Sequence, residues 1–369
     1  MKDDFMQLAL RLAKRGYGAT SPNPMVGAVL VKGGRIIGRG WHRRTGLPHA
    51  EIETLRDAQK RGHNSRGAAL YVTLEPCCTH GRTPPCTDAI IAAGIKKVVV
   101  GATDPNPKHA GKGFKILRSA GIEVVQGILA DECAKINEAF NHWIVRRTPF
   151  VTVKAAMTLD GKIATASGES KWITGEKARE HGMKLRRGSD AILVGINTIL
   201  ADNPALTVRR GDNNTRLRRI ILDSMARTPL SAKVASDGFA ALTTIVVSKR
   251  APKNRAAALA RKVKVIVAPA VDSKLDLKWL LKKLGPENVT SLLVEGGGEV
   301  NASFLLGGLA QRVAFFYAPK ILGGRDSRKA VAGDGAKNLS EAIQLREIEW
   351  KRVGGDLLMT ALVANGGKK

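Results

Sequence analysis

Aromatic residues are scarce in this 369-residue chain: five Trp, three Tyr and eight Phe, or 4% of the total. Platforms for stacking nucleic-acid bases are therefore few. Cysteine is rarer still, at four, too few for a disulfide scaffold in a chain of this length. No apolar run approaches the roughly 20 residues that cross a bilayer. No internal repeat with a period of roughly 20–50 residues and no low-complexity tract is found. The opening Met1-Lys2-Asp3-Asp4-Phe5 is acidic and turns amphipathic at once, so it is not read as a secretory signal. These absences argue against a secreted disulfide-rich module, a membrane-spanning protein and a solenoid. A cytoplasmic globular protein is expected.

What is present is basic. The chain is 44% hydrophobic and 25% charged, with a net charge of +28. A charge of that size raises nucleic acid as a partner. Its distribution lowers that expectation. Residues 1–147 hold 23 Lys/Arg against 12 Asp/Glu, and the other 222 residues hold 37 against 20. The excess is spread evenly, as pairs such as Arg43-Arg44 and Arg218-Arg219, with no long block. A diffuse basic surface suits acidic small substrates, and no dedicated nucleic-acid partner and no membrane partner is expected.

Periodicity places a helix over residues 3–16, strands over 25–32 and 35–41 joined at Gly33-Gly34, and a helix over 49–60 after Pro48. A buried strand over 68–74, a helix over 83–94 and a strand over 98–101 follow. A helix from about Asp131 to Arg147 ends at Thr148-Pro149. Beyond it, strands are expected over 150–156, 191–194, 219–222, 244–247, 264–267 and 291–294, with helices between. Strands alternating with helices give an α/β class with mixed or largely parallel sheets. Length favours two unequal domains, here 1–147 and 148–369.

Chemistry concentrates in His49-Ala50-Glu51, Glu75-Pro76-Cys77 and Cys86. One imidazole and two thiolates can fill three tetrahedral positions around zinc and leave the fourth for water. Glu51, two residues from His49, is placed to move protons without binding metal. Hydrolytic removal of an exocyclic amine needs those parts. Cys78 is left out of the ligand set, and Cys133, alone in a helical pattern, reads as a small buried hydrophobe. Eight residues separate Cys77 from Cys86, whereas nucleic-acid deaminases of this type usually read Cys-x-x-Cys. In the second domain no Gly-x-Gly-x-x-Gly follows a first strand, so a Rossmann site is not supported. A run Val294-Glu295-Gly296-Gly297-Gly298-Glu299-Val300-Asn301 does follow an apolar strand, where backbone N–H groups can approach a phosphate.

The run Thr73-Leu74-Glu75-Pro76-Cys77-Cys78-Thr79-His80-Gly81-Arg82-Thr83-Pro84-Pro85-Cys86 resembles the bifunctional deaminase–reductase family of riboflavin biosynthesis. Pro22-Asn23-Pro24-Met25-Val26-Gly27 and Asp104-Pro105-Asn106-Pro107 are similar to it too. One departure is Cys78-Thr79, where the family more often has Ser-His. The segments 154–162, 166–174, 195–204 and 206–209 resemble the reductase half. The resemblance covers about residues 3–362. It implies a cytidine-deaminase-like α/β/α sandwich followed by a dihydrofolate-reductase-like α/β domain. It implies deamination of a diaminopyrimidinone ribosylamine 5′-phosphate, a small phosphorylated pyrimidine, and then reduction of the ribosyl group with NADPH.

On that resemblance His49, Cys77 and Cys86 hold zinc, and Glu51 carries the proton. Asn23, His42 and Arg82 contact the first substrate, although His42 also reads as an exposed loop histidine. Ala156, Trp172, Thr198, Asp202, Ser224, Gly296, Gly297, Gly298, Glu299, Val300 and Asn301 contact NADPH. Ser170, Arg186, Leu206, Arg209 and Glu295 contact the second substrate. Lys154 and Asp202 are candidates for orienting or protonating the sugar. A homo-oligomer, dimer or tetramer, is expected. Two other readings stay open: a deaminase whose second domain is a degenerate binding module, and a tRNA-editing deaminase. The cysteine spacing and the second domain speak against the latter.

Overall fold

In the computed structural model, which describes residues 2–79, 84–208 and 217–364, the apolar runs become strands buried on both faces. The chain divides into two compact units, 1–147 and 148–369.

The first unit runs α1 (Lys2–Ala13), β1 (Gly27–Lys32), β2 (Arg35–Trp41), α2 (Ala50–Lys60), β3 (Ala69–Leu74), α3 (Cys86–Ala92), β4 (Lys97–Ala102), α4 (Lys112–Ser119), β5 (Glu123–Val125), α5 (Ala130–Lys135) and α6 (Glu138–Arg146). Its five-stranded sheet has the order β2-β1-β3-β4-β5. The β2-β1-β3 part is antiparallel and the β3-β4-β5 part parallel. Side chains alternate across each strand, so two cores form. Leu30, Leu70, Val72, Val98 and Val100 meet Ala50, Ala58, Ile90, Phe114 and Leu117 of the helices α2, α3 and α4. Val29, Val31, Tyr71 and Val99 meet Met6, Ala9 and Leu12 of α1 and Cys133 of α5. Each fully buried leucine or valine contributes about 1.5–3 kcal/mol.

Glycine permits one contact that matters for the site. A Cβ on Gly40 of β2 would lie 2.5 Å from the Thr54 nitrogen. Only a bare backbone lets α2 settle this closely on β2, and α2 carries His49 and Glu51 at its start.

The single helix expected over residues 131–147 is two helices. Asn137 breaks it: its Oδ1 accepts from the Met25 N–H at 2.7 Å and its Nδ2 donates to the Met25 carbonyl at 2.9 Å. The amide pairs with a distant backbone like a strand neighbour, and that pairing outweighs helix continuity. The helix α4 and the strand β5 also go beyond the sequence expectations.

The second unit runs β6 (Phe150–Thr158), β7 (Lys162–Ala164), α7 (Glu176–Arg187), β8 (Ala191–Gly195), α8 (Ile196–Asp202), β9 (Arg218–Leu222), α9 (Lys233–Ser236), β10 (Thr243–Ser248), α10 (Lys253–Ala260) and β11 (Lys264–Ala268). It continues with β12 (Ala270–Val271), β13 (Lys274–Leu275), α11 (Leu277–Leu284), β14 (Ser291–Val294), α12 (Gly298–Leu306), β15 (Arg312–Ala318), β16 (Arg328–Lys329), β17 (Leu345–Val353) and β18 (Asp356–Val363). The main sheet has nine strands in the order β11-β10-β9-β8-β14-β6-β15-β18-β17. From β11 to β15 every pairing is parallel. The strands β18 and β17 close it antiparallel. Leu280, Leu281 and Phe304 cover one face, and Ile199, Val234 and Leu259 the other. In such a sheet ligands collect beyond the carboxyl ends of the parallel strands. Those ends lead into α8 and α12.

Candidate active sites in the two units

In the first unit, Pro48 holds the chain extended before α2, so His49 sits at the helix N-cap and Glu51 in the first turn. The β3 strand delivers Cys77 just past its end. Pro85 caps α3, whose first residue is Cys86. His49 Nδ1 lies 3.5 Å from Cys77 Sγ and 3.3 Å from Cys86 Sγ. The three ligand atoms all fall within 4.8 Å of one another. A tetrahedron with bonds of about 2.0–2.3 Å has edges of about 3.3–3.8 Å. The nitrogen–sulfur edges are thus already of zinc-site length, and one imidazole with two sulfurs is a donor set that zinc accepts.

The protonation pattern agrees. The Cys77 thiol is held well below its usual range, chiefly by the hydrogen bond with Cys86. Cys86 keeps the shared proton and is pushed up by the same bond. A dication among them would make both thiolates. Glu51 is 3% exposed, and burial pushes its carboxyl up to about 7.

His42 is 2% exposed, which corrects its reading as an exposed loop histidine. Its Nδ1 faces the Pro48 carbonyl at 3.1 Å, so that nitrogen carries the proton. Its Nε2 then accepts from Asn23 Nδ2 at 3.2 Å. Burial lowers its pKa and keeps it neutral. Its ring stands edge-on to His49, with centroids 5.3 Å apart. Asn23, His42, His49, Glu51 and Cys77 share one cavity of about 300 Å³. Sequence reasoning missed other lining residues: Asp104, Asn106, His109, Phe140 and Trp143. Asp104 and Asn106 belong to the Asp-Pro-Asn-Pro motif; Phe140 and Trp143 come from α6, whose helical pattern looks like plain core. Arg82 lies outside the described residues.

In the second unit a cavity of about 830 Å³ opens at the ends of β8 and β14. Ser170, Thr198, Asp202, Glu295, Gly296, Gly297, Gly298, Glu299 and Val300 all line it. Gly297 caps α12 with no side-chain hydrogen bond, and a Cβ there would meet nothing within 4 Å. A Cβ on Gly298 would lie 2.3 Å from the Lys329 carbonyl oxygen, and one on Gly296 2.5 Å from Val300 Cβ. These glycines bring an uncapped helix start to the cavity wall. Its first amides have no side-chain acceptor, as a bound phosphate requires. A dinucleotide fits that cradle in volume and in polarity.

Other assigned residues sit elsewhere. Asn301 is buried and donates to the Ala330 carbonyl at 2.8 Å. Ala156 packs beside Phe316 and Leu358, and Leu206 is buried in the core next to Ile221. The Ser224 carbonyl accepts from both the N–H and the hydroxyl of Ser248. Trp172 is 58% exposed, with Arg179 4.5 Å above its ring. Asp202, at the cavity wall, pairs with Lys171 at 3.0 Å. Arg209 lies outside the described residues. Arg328 and Lys329 line the cavity unforeseen; in a chain with 60 basic residues nothing marked them.

Arg186 and Lys154 converge on Glu295. Arg186 donates Nε and Nη2 to the two carboxylate oxygens at 2.9 and 2.8 Å, and Nη1 to the Thr207 carbonyl at 3.1 Å. Lys154 Nζ stands 3.9 Å from Glu295. Burial alone would raise the Glu295 carboxyl, but Arg186 and Lys154 reverse this and hold it at about 2. Glu295 is therefore a fixed anion at the cavity wall.

Comparison with known proteins follows the same division. The family model for the cytidine and deoxycytidylate deaminase zinc-binding region matches residues 1–102, and that for the RibD C-terminal domain matches residues 149–359. The riboflavin biosynthesis protein RibD of Actinobacillus pleuropneumoniae is 43% identical over 98% of this chain and 95% of its own length. The structure of Acinetobacter baumannii RibD superposes with a TM-score of 0.86 at 36% identity, covering 98% of this chain and 99% of that one. The structure of a diaminohydroxyphosphoribosylaminopyrimidine deaminase/5-amino-6-(5-phosphoribosylamino)uracil reductase from Thermotoga maritima gives 0.83 at 37%, with 98% and 99% covered. Among the described residues, no helix is long and apolar enough to cross a membrane. The chain belongs to the RibD family and is a bifunctional enzyme of riboflavin biosynthesis, a zinc-dependent deaminase joined to an NADPH-dependent reductase.

Proposed function

We propose that residues 1–147 deaminate 2,5-diamino-6-(5-phosphoribosylamino)pyrimidin-4(3H)-one, and that residues 148–369 reduce the ribosyl group of the product, 5-amino-6-(5-phosphoribosylamino)uracil, to ribityl. The two activities named for the Thermotoga maritima relative support this choice of substrates. The observation that carries the reading is the His49–Cys77–Cys86 triangle with buried Glu51 in the same cavity.

In the first reaction water replaces the exocyclic amine, giving a ring carbonyl and ammonia. Zinc held by His49, Cys77 and Cys86 supplies a Lewis acid that polarises that water. Glu51 accepts the proton the water loses and returns it to the departing amine nitrogen. Its burial beside the thiols supports that role, since a carboxyl near neutrality both takes and gives protons. Asn23 holds the pyrimidine edge, and neutral His42, whose two ring nitrogens are taken by the Pro48 carbonyl and by Asn23, positions the Asn23 amide. Their mutual hydrogen bond fixes which atoms Asn23 can offer.

In the second reaction Gly296, Gly297 and Gly298 at the start of α12 would hold NADPH, which would supply the hydride for C1′ of the sugar. The first-turn amides of α12 bind cofactor phosphate. Glu295, fixed by Arg186 and Lys154, orients the substrate. Lys154 protonates the opened sugar oxygen, and Asp202, a carboxylate paired with Lys171, orients the sugar. Free thiols at the first site support a reducing, cytoplasmic setting. The exposed outer strand β17, with Ile348 and Trp350 at its surface, supports a homo-oligomer.

The test is to incubate zinc-loaded protein with the diaminopyrimidinone ribotide, with and without NADPH, and to identify products by mass. The deaminated ribosyl compound is expected alone, and the ribityl compound once NADPH is added. Failure of the first conversion sinks the deaminase assignment, and failure of the second sinks the reductase assignment.

A further inference from the structure

From the segment 104–113, Asp104, Asn106 and His109 line the first cavity. Glu75 ties this segment down: Oε2 accepts from the N–H groups of Asp104 at 3.2 Å and Gly111 at 3.0 Å, and Oε1 from that of Gly113 at 3.0 Å. Inside it, the Asn106 carbonyl accepts from the N–H groups of His109 and Ala110 at 2.8 and 2.9 Å. His109 is thus carried on a pinned turn. Its ring lines the cavity that holds His49, Glu51 and Cys77. Nδ1 lies 3.7 Å from Cys78 Sγ, and Nε2 lies 3.4 Å from Thr79 Oγ1. The first is an ordinary distance to sulfur, whereas the second is long, so Nε2 keeps hydrogen-bonding capacity for a guest.

The cavity is graded. Glu51 is 3% exposed at its inner end, whereas His109 is half-buried and Thr79 exposed. A reacting amine must sit inside, near Glu51 and Cys77, so the rest of the substrate extends outward past His109.

From this geometry we infer that His109 is a substrate-positioning residue of the deaminase, hydrogen-bonding the ribosyl phosphate arm. The inference rests on the deaminase reading above. Because Thr79 Oγ1 is in contact with His109 Nε2, an imidazole placed on residue 79 can reach the same space from the facing loop.

The experiment measures kcat and KM for deamination of the ribotide, with zinc content, in wild type, His109→Ala, His109→Gln and the double variant His109→Ala/Thr79→His. His109→Ala is expected to raise KM about tenfold, the scale of one hydrogen bond to a charged group, with kcat and zinc retained. His109→Gln, which keeps a donor, raises it less. The double variant recovers most of the loss. An unchanged KM in His109→Ala, a fall in zinc content that accounts for the defect, or a raised KM that Thr79→His leaves uncorrected overturns the inference. A wild-type protein that does not deaminate the ribotide overturns the deaminase reading itself, so the two failures are told apart.

Discussion

The two units hold their chemistry in different parts of the chain. In the first, it rests on side chains: His49, Glu51, Cys77 and Cys86 come from two helix starts and one loop, and the contacts of His49 with Cys77 and Cys86 have the ligand–ligand length of a zinc site. In the second, it rests on backbone amides of one helix start and on an ion-pair cluster drawn from residues 154, 186 and 295. Side-chain chemistry can be read as letters, whereas backbone chemistry shows only as glycine. The predicted perturbations therefore differ in kind between the units.

The largest effect belongs to the first unit. Cys86→Ser should abolish zinc retention, measured as metal per chain after gel filtration, and lower the melting temperature of that unit, because a structural share of metal binding is folding free energy. Wild-type zinc content in this variant would remove Cys86 from the ligand set.

Next comes the ion pair. Arg186→Met leaves Glu295 buried without its bidentate partner, a loss of about 3–5 kcal/mol. Chemical denaturation should show it in the second unit alone, while deamination persists. A change below about 1 kcal/mol, the size of an exposed pair, would mean that the pair is solvated.

A smaller effect separates cofactor binding from folding. A Cβ on Gly297 meets no protein atom, so Gly297→Ala should melt as wild type does. It should nevertheless bind NADPH about tenfold more weakly by fluorescence titration, because the methyl enters the space beside the uncapped amides. Unchanged affinity would place the phosphate elsewhere.

A further effect is on acid stability. The Glu295 carboxyl lies at about 2 in the fold against its usual 4.5. The unfolded chain therefore binds the proton more readily, and the contribution is complete above about 4.5 and lost as pH falls toward 2. An acid titration of the second unit followed by circular dichroism should show this loss in wild type and not in Arg186→Met. Identical curves would contradict the fixed-anion role.

The same contrast explains what the sequence disclosed. The six strands expected in the second unit are all present: five lie inside the sheet as continuous apolar runs, and β11, at its edge with Val267 exposed, keeps an apolar run too. The strand β17 was missed because Arg346, Glu347, Glu349, Lys351 and Arg352 interrupt it at an exposed sheet edge. The strand β15, Arg-Val-Ala-Phe-Phe-Tyr-Ala, carried a legible apolar run that was overlooked. Asn137 broke a helix through a contact 112 residues away, which no local pattern records. The zinc set was legible from three short motifs. His109, Arg328 and Lys329 were not, because their meaning lies only in which cavity the fold turns them toward.

The two centres are separable, and Glu51→Gln tests this most directly. The variant should keep its zinc, lose deamination by about a thousandfold, within the range of acid–base catalysis, and still convert 5-amino-6-(5-phosphoribosylamino)uracil with NADPH to the ribityl product at the wild-type rate. Near-normal deamination, or loss of both activities with zinc intact, would contradict it.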